Sequence, residues 1–327
     1  MEPKRIFVVG SLNIDLVTRM ERLPREGETV SGSDLMLFPG GKGANQACAA
    51  ARLGGRTAII GQVGNDPFGE HLLGSLRNAG VDTTGTGRSA RATGAACISV
   101  LPGGENAIVI SPGANATLTP DLALSRLGAL KAGDFLLVQL EVRPETVEAV
   151  LVYAVRRGAV TILDPAPARP LSRELLGCVT YLTPNQSEAA QLLGKPDMPI
   201  TGFADAREAT RALLELGPAA AVLKMGKLGC YVAAGEFSDG VEGFAVDAVD
   251  TTAAGDTFNA AFAVGLSEGM SVADAAVFAN AAAALSVTRA GAQSSIPNRD
   301  EVTTFLETSR RRPACGPAAG GTHVHCR

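Results

Sequence analysis

The sequence predicts an α/β fold with a mainly parallel central sheet and helices on both of its faces. Short β-branched runs alternate with Ala- and Leu-rich helical segments along most of the chain. Strands and helices that alternate in this way form parallel sheets through right-handed crossovers. The 327 residues, 46% of them hydrophobic, are enough to bury such a core.

The alternation can be followed in order along the chain. The strand RIFVVG leads to the helix GANQACAAARLGG, and the strand TAIIGQVG leads to the helix GEHLLGSLRNAG. After the strand DFLLVQLE comes PETVEAVLVYAVRRG, in which Pro144 is suited to open a helix and Gly158 to close it. The strands AVTILD, VTYLT and AAVLKMG and the helix DTFNAAFAVGLSEG complete the pattern.

Two segments interrupt this rhythm, at residues 12–38 and 92–112. Each reads as a strand, a Gly- or Pro-containing turn and a second strand, with no helical periodicity. We predict that they form a small antiparallel β-sheet outside the main one, placed as a lid. The alternative is that they are ordinary hairpins at the edge of the main sheet.

The end of the chain differs in composition from the rest. From Ser309 onward it is rich in Gly, Pro and Arg and has no periodicity, which predicts one domain over residues 1–308 and a disordered tail over 309–327. Cysteine and histidine occur in this tail, but their spacing matches no zinc motif.

Composition excludes several classes of protein. A net charge of −4 gives no basic surface for nucleic acid. No apolar run approaches the roughly 20 residues of a membrane-spanning helix, and cysteines are scattered singly, so we expect a cytoplasmic protein without disulfides. With only His71, His323 and His325 present, neither a histidine triad nor a three-histidine zinc site is expected.

The stretch DTTAAGDTF carries the strongest chemical signal. Ala253, Ala254 and Gly255 precede a long apolar helix, where small side chains let an anionic group approach the unpaired backbone N–H groups. Asp256 follows directly and is suited to accept the proton of an attacking hydroxyl. The alternative for Asp256 is a helix N-cap, which leaves the run of small residues unexplained.

Other polar residues stand where parallel strands are predicted to end. Four predicted strands are each followed by such residues, which are Asn13 and Asp15, then Glu141, then Asp164, and finally Asn185 and Glu188. Ligands bind beyond the carboxyl ends of strands in open α/β sheets, so these side chains are expected to converge on one cleft. Each one taken singly is also a common cap or turn residue.

The glycine-rich run FPGGKG fits neither a P-loop nor a G-x-G-x-x-G turn. Its Lys42, with Asn45, is suited to bind a small polar ligand.

These segments resemble the ribokinase family of carbohydrate and nucleoside kinases. GGKGANQACAAARLGG and DTTAAGDTFNAAF look like its two signatures, and GSLNID, PGANATLTP, QLE, DPAPA and TPNQSEA resemble further elements, over about residues 5–308. The resemblance implies a ribokinase-like fold and transfer of the γ-phosphoryl group of ATP to a sugar hydroxyl, with ribose as the expected sugar. Deoxyribose, another sugar or a nucleoside remain alternatives, as does a non-catalytic sugar- or nucleotide-binding protein.

The resemblance also implies roles for individual residues. Asp256 is the expected base, and the amides of Ala253, Ala254 and Gly255 form the expected anion hole. The residues expected to hold the sugar are Asn13, Asp15, Gly41, Lys42, Asn45, Glu141 and Asp256. Asn185 and Glu188 match an N-x-x-E element that organises Mg²⁺ and its waters, a cation that prefers oxygen ligands.

On the nucleotide side, the loop KMGKLG is implied to lie along the ATP. It comprises Lys224, Met225, Gly226, Lys227, Leu228 and Gly229, and Asn280 is expected to close the adenine pocket beside Gly255. The family commonly has Thr-Leu-Gly where this chain has Lys-Met-Gly, which leaves the nucleotide preference open.

The resemblance also implies a K⁺ site, mostly formed by backbone carbonyls, at Asp250, Thr252, Ser286, Arg289, Gly291 and Ser295. In addition, the lid is expected to join two subunits in a homodimer.

Overall fold

The computed structural model describes residues 4–103 and 105–310, and this part of the chain contains thirteen strands and ten helices. The strands are β1 (Arg5–Val9), β2 (Asn13–Arg19), β3 (Met36–Gly40), β4 (Arg56–Gly64), β5 (Thr86–Ser89), β6 (Gly94–Val100), β7 (Asn106–Ser111), β8 (Phe135–Val138), β9 (Val160–Leu163), β10 (Tyr181–Leu182), β11 (Ala220–Lys224), β12 (Gly229–Ala234) and β13 (Phe237–Glu242).

The helices follow the predicted alternation in the first part of the chain. They are α1 (Lys42–Arg52), α2 (Pro67–Asn78), α3 (Pro120–Arg126), α4 (Pro144–Arg156), α5 (Arg173–Leu176), α6 (Gln186–Leu192), α7 (Phe203–Leu214), α8 (Ala254–Ser267), α9 (Val272–Ser286) and α10 (Arg299–Arg310). The later part departs from the prediction, because α6 and α7 are consecutive, and α8, α9 and α10 follow one another with no strand between them. None of them, within the described ranges, combines the length and apolarity that crossing a bilayer requires. The tail predicted to be disordered begins at Ser309, but Ser309 and Arg310 belong to α10; the remainder, from position 311, lies outside the described residues.

The larger sheet has nine strands in the order β13-β12-β11-β10-β9-β8-β1-β4-β5. The seven strands from β11 to β5 are parallel, whereas β12 and β13 continue the sheet as antiparallel neighbours. The prediction of a mainly parallel sheet is therefore confirmed.

Both faces of this sheet are covered by helices, as predicted. Ile6 and Val8 of β1 belong to the core cluster that includes residues of α1, α8 and α9. Their neighbours Phe7 and Val9 belong to the opposite cluster, with residues of α3, α4 and α7. Successive side chains of a strand point to opposite faces, so a strand covered on both sides must be apolar throughout, as β1 is.

The two segments that interrupt the alternation form a separate sheet of four strands, in the order β3-β2-β6-β7. β2 pairs with β6 in parallel, although the two strands are far apart in sequence, so the segments are more than two independent hairpins. The predicted separate sheet is confirmed, but it is mixed and not antiparallel throughout, because only the outer pairs β2–β3 and β6–β7 are antiparallel.

The chain is held firmly where it passes between the two sheets. The buried side chain of Asn115 accepts a hydrogen bond from Leu12 N at 2.9 Å and donates to Leu12 O at 3.1 Å and to Asn13 Oδ1 at 2.7 Å. At a second crossing, Asp66 accepts hydrogen bonds from Thr93 N and Thr93 Oγ1, both at 2.7 Å. These contacts fix the small sheet over the carboxyl end of β1.

Candidate active site

Asp256 lies in the first turn of α8, and its carboxylate points into the protein. Asn45 Nδ2 donates to Asp256 Oδ2 at 3.0 Å, and Gln46 Nε2 donates to Asp256 Oδ1 at 3.1 Å. The N-cap residue of α8 is Ala253, which makes no side-chain capping bond. Asp256 is therefore not a helix cap, and its only hydrogen-bond donors among the described residues are the two amides of α1.

The environment of Asp256 suits a proton acceptor. Burial raises the pKa of its carboxyl to about 6; the charge of Lys42 opposes this increase, and the nearby Asp164 adds to it. A base is most effective when its pKa lies near the working pH and it is still ionised there. At pH 7 the Asp256 carboxylate meets both conditions.

Backbone N–H groups at the N-terminus of α8, beside Asp256 in sequence, are unpaired among the described residues. Ala254 N donates to Thr251 O at 3.2 Å, whereas the N–H groups of Ala253, Gly255 and Asp256 have no acceptor within residues 4–103 and 105–310. Such groups attract anions, and the helix dipole adds to the attraction. Ala253 adopts a left-handed conformation, with φ of 60°, at a cost of roughly 1–2 kcal/mol.

The polar residues predicted at strand ends converge on this region. Lys224, at the end of β11, forms an ion pair with Asp164, which follows β9, at 2.9 Å between Nζ and Oδ1. Asn185 and Glu188 form a reciprocal capping box at the start of α6. For these two residues the alternative of a cap is correct, and their side chains also face a cavity.

Two cavities meet at the N-terminus of α8. The more polar one, of about 550 Å³, has Lys42, Asp164, Glu188 and Asp256 in its walls. The other, of about 630 Å³, is lined mainly by apolar side chains, among them Phe244, Val246, Ala283 and Val287. They share Lys224, Gly226, Thr251, Ala254 and Gly255. A ligand with an apolar ring and an anionic chain fits this arrangement.

The charged residues that are expected to bind the sugar lie close together near Asp256. Burial, together with the negative charges of Glu141 and Asp256, raises the pKa of Asp15 to about 7. Burial alone would lower the pKa of Lys42, but the surrounding carboxylates outweigh burial and raise it, so Lys42 remains a cation. Glu141 Oε2 accepts hydrogen bonds from Ser11 Oγ at 2.5 Å and Lys42 N at 3.2 Å.

The other residues expected at the sugar lie around this cluster. Gly41 has a φ of 89°, and a Cβ there would lie 2.7 Å from Asn13 N, so only glycine fits between α1 and the start of β2. Asn13 Oδ1 is held by Asn115, and Asn45 is held against Asp256.

The predicted nucleotide loop is divided between cavity wall and core. Gly226, Lys227, Leu228 and Gly229 line the apolar cavity, as does Asn280. Met225 is buried and lies outside both cavity linings. Asn280 Nδ2 donates to Val241 O at 3.0 Å and to Glu242 O at 3.2 Å, so its amide group supports the cavity wall.

Some of the residues expected at a K⁺ site are brought together. Asp250 accepts hydrogen bonds from Thr252 N and Gly291 N, both at 2.9 Å, and Val287, next to Ser286, accepts a bond from Asp250 N. The Arg289 side chain instead pairs with Glu301, and the buried Ser295 hydroxyl donates to Ala292 O. Within the described residues, no group of three or more His, Cys, Asp or Glu side chains is arranged to hold a metal.

Sequence reasoning missed four buried amides that belong to this site. Asn115 supports Asn13, Gln46 contacts Asp256, Gln139 contacts Gln46, and Gln293 Nε2 donates to Asn45 Oδ1 at 3.5 Å. The available signal was a polar amide inside an apolar segment, as in FLLVQL, where Gln139 follows four fully apolar residues.

Comparison with known proteins now identifies the family. Residues 3–299 match the family model described as pfkB family carbohydrate kinase. The chain belongs to the pfkB family of carbohydrate kinases. The resemblance stated from the two signature segments is confirmed, and so is the expected class of enzyme, a phosphotransferase.

Relatives of this kinase match it over nearly their whole length. A ribokinase from Bacillus subtilis is 43% identical over 303 residues, which cover 93% of this chain and 99% of the relative. A deoxyribokinase from Salmonella typhi is 34% identical over 303 residues, covering 92% and 98%. The structure of Arabidopsis thaliana ribokinase complexed with ribose and ATP is 34% identical, covers 93% and 99%, and superimposes with a TM-score of 0.86.

We predict that Asp256→Asn abolishes most turnover while substrate binding persists. We expect kcat to fall by about 10²–10⁴-fold, because the amide cannot accept the hydroxyl proton, and KM to change little. In the unaltered kinase, kcat/KM should fall as the pH drops through about 6, where Asp256 becomes protonated.

The matched control for this variant is Asp274→Asn. Asp274 occupies the corresponding position in the first turn of α9 but is exposed and remote from both cavities. It should retain normal kinetics. A near-normal kcat for Asp256→Asn would exclude Asp256 as the base.

Proposed function

We propose that this kinase is an ATP-dependent ribokinase that converts D-ribose to D-ribose 5-phosphate. The observation that carries the proposal is the position of Asp256, buried at the N-terminus of α8 where a polar and an apolar cavity meet. The ribokinase relative of 43% identity supports ribose as the substrate. The bound ribose and ATP named for the Arabidopsis structure support the pair of substrates.

In the proposed reaction the nucleotide base lies in the apolar cavity and the phosphates extend toward Lys224 and Gly255. Asp256 accepts the proton of the ribose 5-hydroxyl as the oxygen attacks the γ-phosphorus, and the bond from this phosphorus to the β,γ-bridging oxygen breaks to release ADP. The free amides of Gly255 and Asp256, with Ala253, stabilise the negative charge on the transferring group. Asn13, Asp15, Lys42 and Glu141 hold the other sugar hydroxyls.

Mg²⁺ is a proposed cofactor, and the acidic side chains of the polar cavity fit it. Burial and the charge of Asp164 raise the pKa of Glu188, although Lys224 and the Asn185 amide oppose the rise. A cation bound with the phosphates would relieve this crowding of negative charge. We propose that Glu188 holds Mg²⁺ through water beside Asn185. When bound, the ion neutralises charge on the phosphates.

Closure of the small sheet over the sugar would exclude water from the reaction, which is the role we propose for it as a lid. Its contacts with the main sheet at Asn115 and Asp66 place it beside the proposed sugar residues. We also propose that the enzyme works in the cytoplasm, where ATP is supplied and thiols stay reduced; the four described cysteines are all unpaired.

Deoxyribose is the second candidate substrate, since the deoxyribokinase relative also matches nearly the full chain. ADP release from Mg-ATP should be measured in K⁺ buffer with ribose, 2-deoxyribose, fructose, adenosine or no sugar. We expect kcat/KM for ribose to exceed that for 2-deoxyribose by roughly 5- to 150-fold, since a missing hydroxyl leaves a buried polar group such as Asp15 unpaired.

A higher value for 2-deoxyribose would replace ribose with deoxyribose in the proposal. The Asp256→Asn variant, assayed with the same sugars, controls for contaminating kinases. If none of the four compounds stimulates ADP release, the result would favour a non-catalytic binding protein.

We propose that K⁺ binds beside the N-terminus of α8 and orders the loop that carries Ala253. The ligands would be mostly carbonyl oxygens of Asp250, Thr252, Ser286, Arg289, Gly291 and Ser295. The hydrogen bonds of Asp250 to Thr252 and Gly291 already connect the two segments involved, which fits a site between them. Replacement of K⁺ by Na⁺ in the ribose assay should lower kcat several-fold. Equal rates in the two salts would exclude the site.

We propose a homodimer formed through the small sheet. Both edge strands of this sheet expose apolar side chains, namely Leu37 on β3 and Ile108, Val109 and Ile110 on β7, and Val109 is 68% exposed. Exposed apolar clusters of this kind are typical of protein interfaces.

Sedimentation velocity can test the dimer. Val109→Glu should shift the protein from dimer to monomer, since it places a charge in the interface. Val155→Glu, an equally apolar exposed position on α4, is the control and should remain dimeric. A monomeric unaltered protein, or a dimeric Val109→Glu variant, would contradict the proposal.

A further inference from the structure

The two oxygens of the Asp256 carboxylate accept hydrogen bonds from Asn45 and Gln46, which are adjacent residues of α1. Gln46 also binds a second carboxylate. Gln46 Nε2 donates to Asp256 Oδ1 at 3.1 Å and also to Asp164 Oδ2 at 3.0 Å. A side-chain amide has two N–H hydrogens, so both are used on carboxylates. Gln46 is 1% exposed, so both bonds are made by a buried amide.

This arrangement requires that the Gln46 amide faces one way only. If the group were reversed, its oxygen would face two carboxylates, and both would lose a donor. Gln139 opposes the reversal as well, because its Nε2 donates to Gln46 Oε1 at 2.6 Å. Gln139 and the two carboxylates together keep the amino end of Gln46 on Asp256.

Gln139 is itself fixed by packing. It directly follows β8, is fully buried, and lies so close to β1 that a Cβ on Gly10 would be 2.1 Å from its Oε1 atom. That Oε1 has no hydrogen-bond partner within residues 4–103 and 105–310. A buried amide that leaves its oxygen unpaired costs stability, and such a cost is common where a group serves function.

We propose that Gln139 is a positioning residue for phosphoryl transfer, which acts on Asp256 through Gln46. The proposal rests on the proposed role of Asp256 as the base. Gln139 touches neither substrate nor the reacting atoms. It keeps the Gln46 donor on Asp256, so that the carboxylate stays ionised and presents its remaining lone pairs to the hydroxyl.

Other charged groups also act on Asp256 and must be held constant in any test. The charges that face it are Lys42 of α1, Asp164 after β9 and Asp15 of β2, and Lys224, Glu141 and Glu188 surround these in turn. None of them hydrogen-bonds to Gln139. A change at Gln139 therefore reaches Asp256 through the Gln46 amide and leaves the charge count of the site unaltered.

The test is the variant Gln139→Met, which keeps the size of the side chain and removes the donor. We expect kcat to fall roughly 10- to 100-fold, because a Gln46 side chain without its Gln139 partner would lose its hydrogen bond to the charged Asp256. The acid limb of the pH profile of kcat/KM should move up by about one pH unit, because a carboxylate with fewer donors binds its proton more tightly. KM for the sugar and for ATP should change little.

The matched control is Gln62→Met. Gln62 is also a buried glutamine of the central sheet, on β4, with an unpaired Oε1, and it has no connection to Asp256. Both variants should lose similar stability in urea unfolding, but only Gln139→Met should move the acid limb. Equal pH profiles for the two variants would overturn the proposal.

A double variant separates action through Gln46 from action by another route. If Gln139 works through Gln46, Gln46→Met should lower kcat at least as much as Gln139→Met does. The combined variant should then be no slower than Gln46→Met alone. Additive losses in the double variant would show that Gln139 acts independently of Gln46, and the proposal would fail.

A direct titration keeps this test separate from the proposed function. The Asp256 carboxyl can be followed by carbon-13 NMR of protein labelled at aspartate, with the Asp256→Asn variant assigning its signal. Gln139→Met should raise the pKa of Asp256 relative to the unaltered protein even if ribose is not the substrate. An unshifted Asp256 signal in Gln139→Met overturns the inference whatever the enzyme phosphorylates.

Discussion

The burial of the Asp256 carboxylate is the constraint on which the rest of the site depends. A negative charge removed from water costs several kcal/mol unless hydrogen bonds and opposite charges compensate it. Here Asn45 and Gln46 supply the hydrogen bonds and Lys42 supplies the opposite charge. Because this compensation is incomplete, the pKa of Asp256 remains raised, as the proposed role as a base requires.

The parallel sheet is what allows so many charges to meet at one place. β10, β9, β8 and β1 are neighbours that run in the same direction, so the residues after them emerge along a single edge. Carboxylates from three of these strand ends then face the lysines Lys42 and Lys224. Opposite charges at short distance stabilise each other more in such a cleft than in open water. The fold thereby provides anionic and cationic groups within reach of one ligand.

The small sheet solves a different problem, since the charged edge faces solvent. It is assembled from two remote segments, and its strand β2 continues directly from the strand end that carries Leu12 and Asn13. Asn115 holds this connection with three hydrogen bonds. As a result, Asp15 is carried from the small sheet into the cluster around Asp256, and its pKa responds to burial there. Site and small sheet are therefore parts of one structure.

The sequence by itself determined the α/β class, the alternation of strands and helices in the first part of the chain, the separate small sheet and the family, since these depend on local periodicity and on contiguous motifs such as DTTAAGDTF. It did not reveal the antiparallel strands β12 and β13 or the succession of α8, α9 and α10. Asp256 was predictable because small residues beside a helix start mark an anion site. The hydrogen-bonded support of Asp256 was not predictable. Gln46 and Gln139 are 93 residues apart, and their bond exists only because the fold brings α1 to the end of β8. Only the tertiary structure decided that Asn280 supports a cavity wall and that Arg289 pairs with Glu301, because long side chains choose partners by proximity in space.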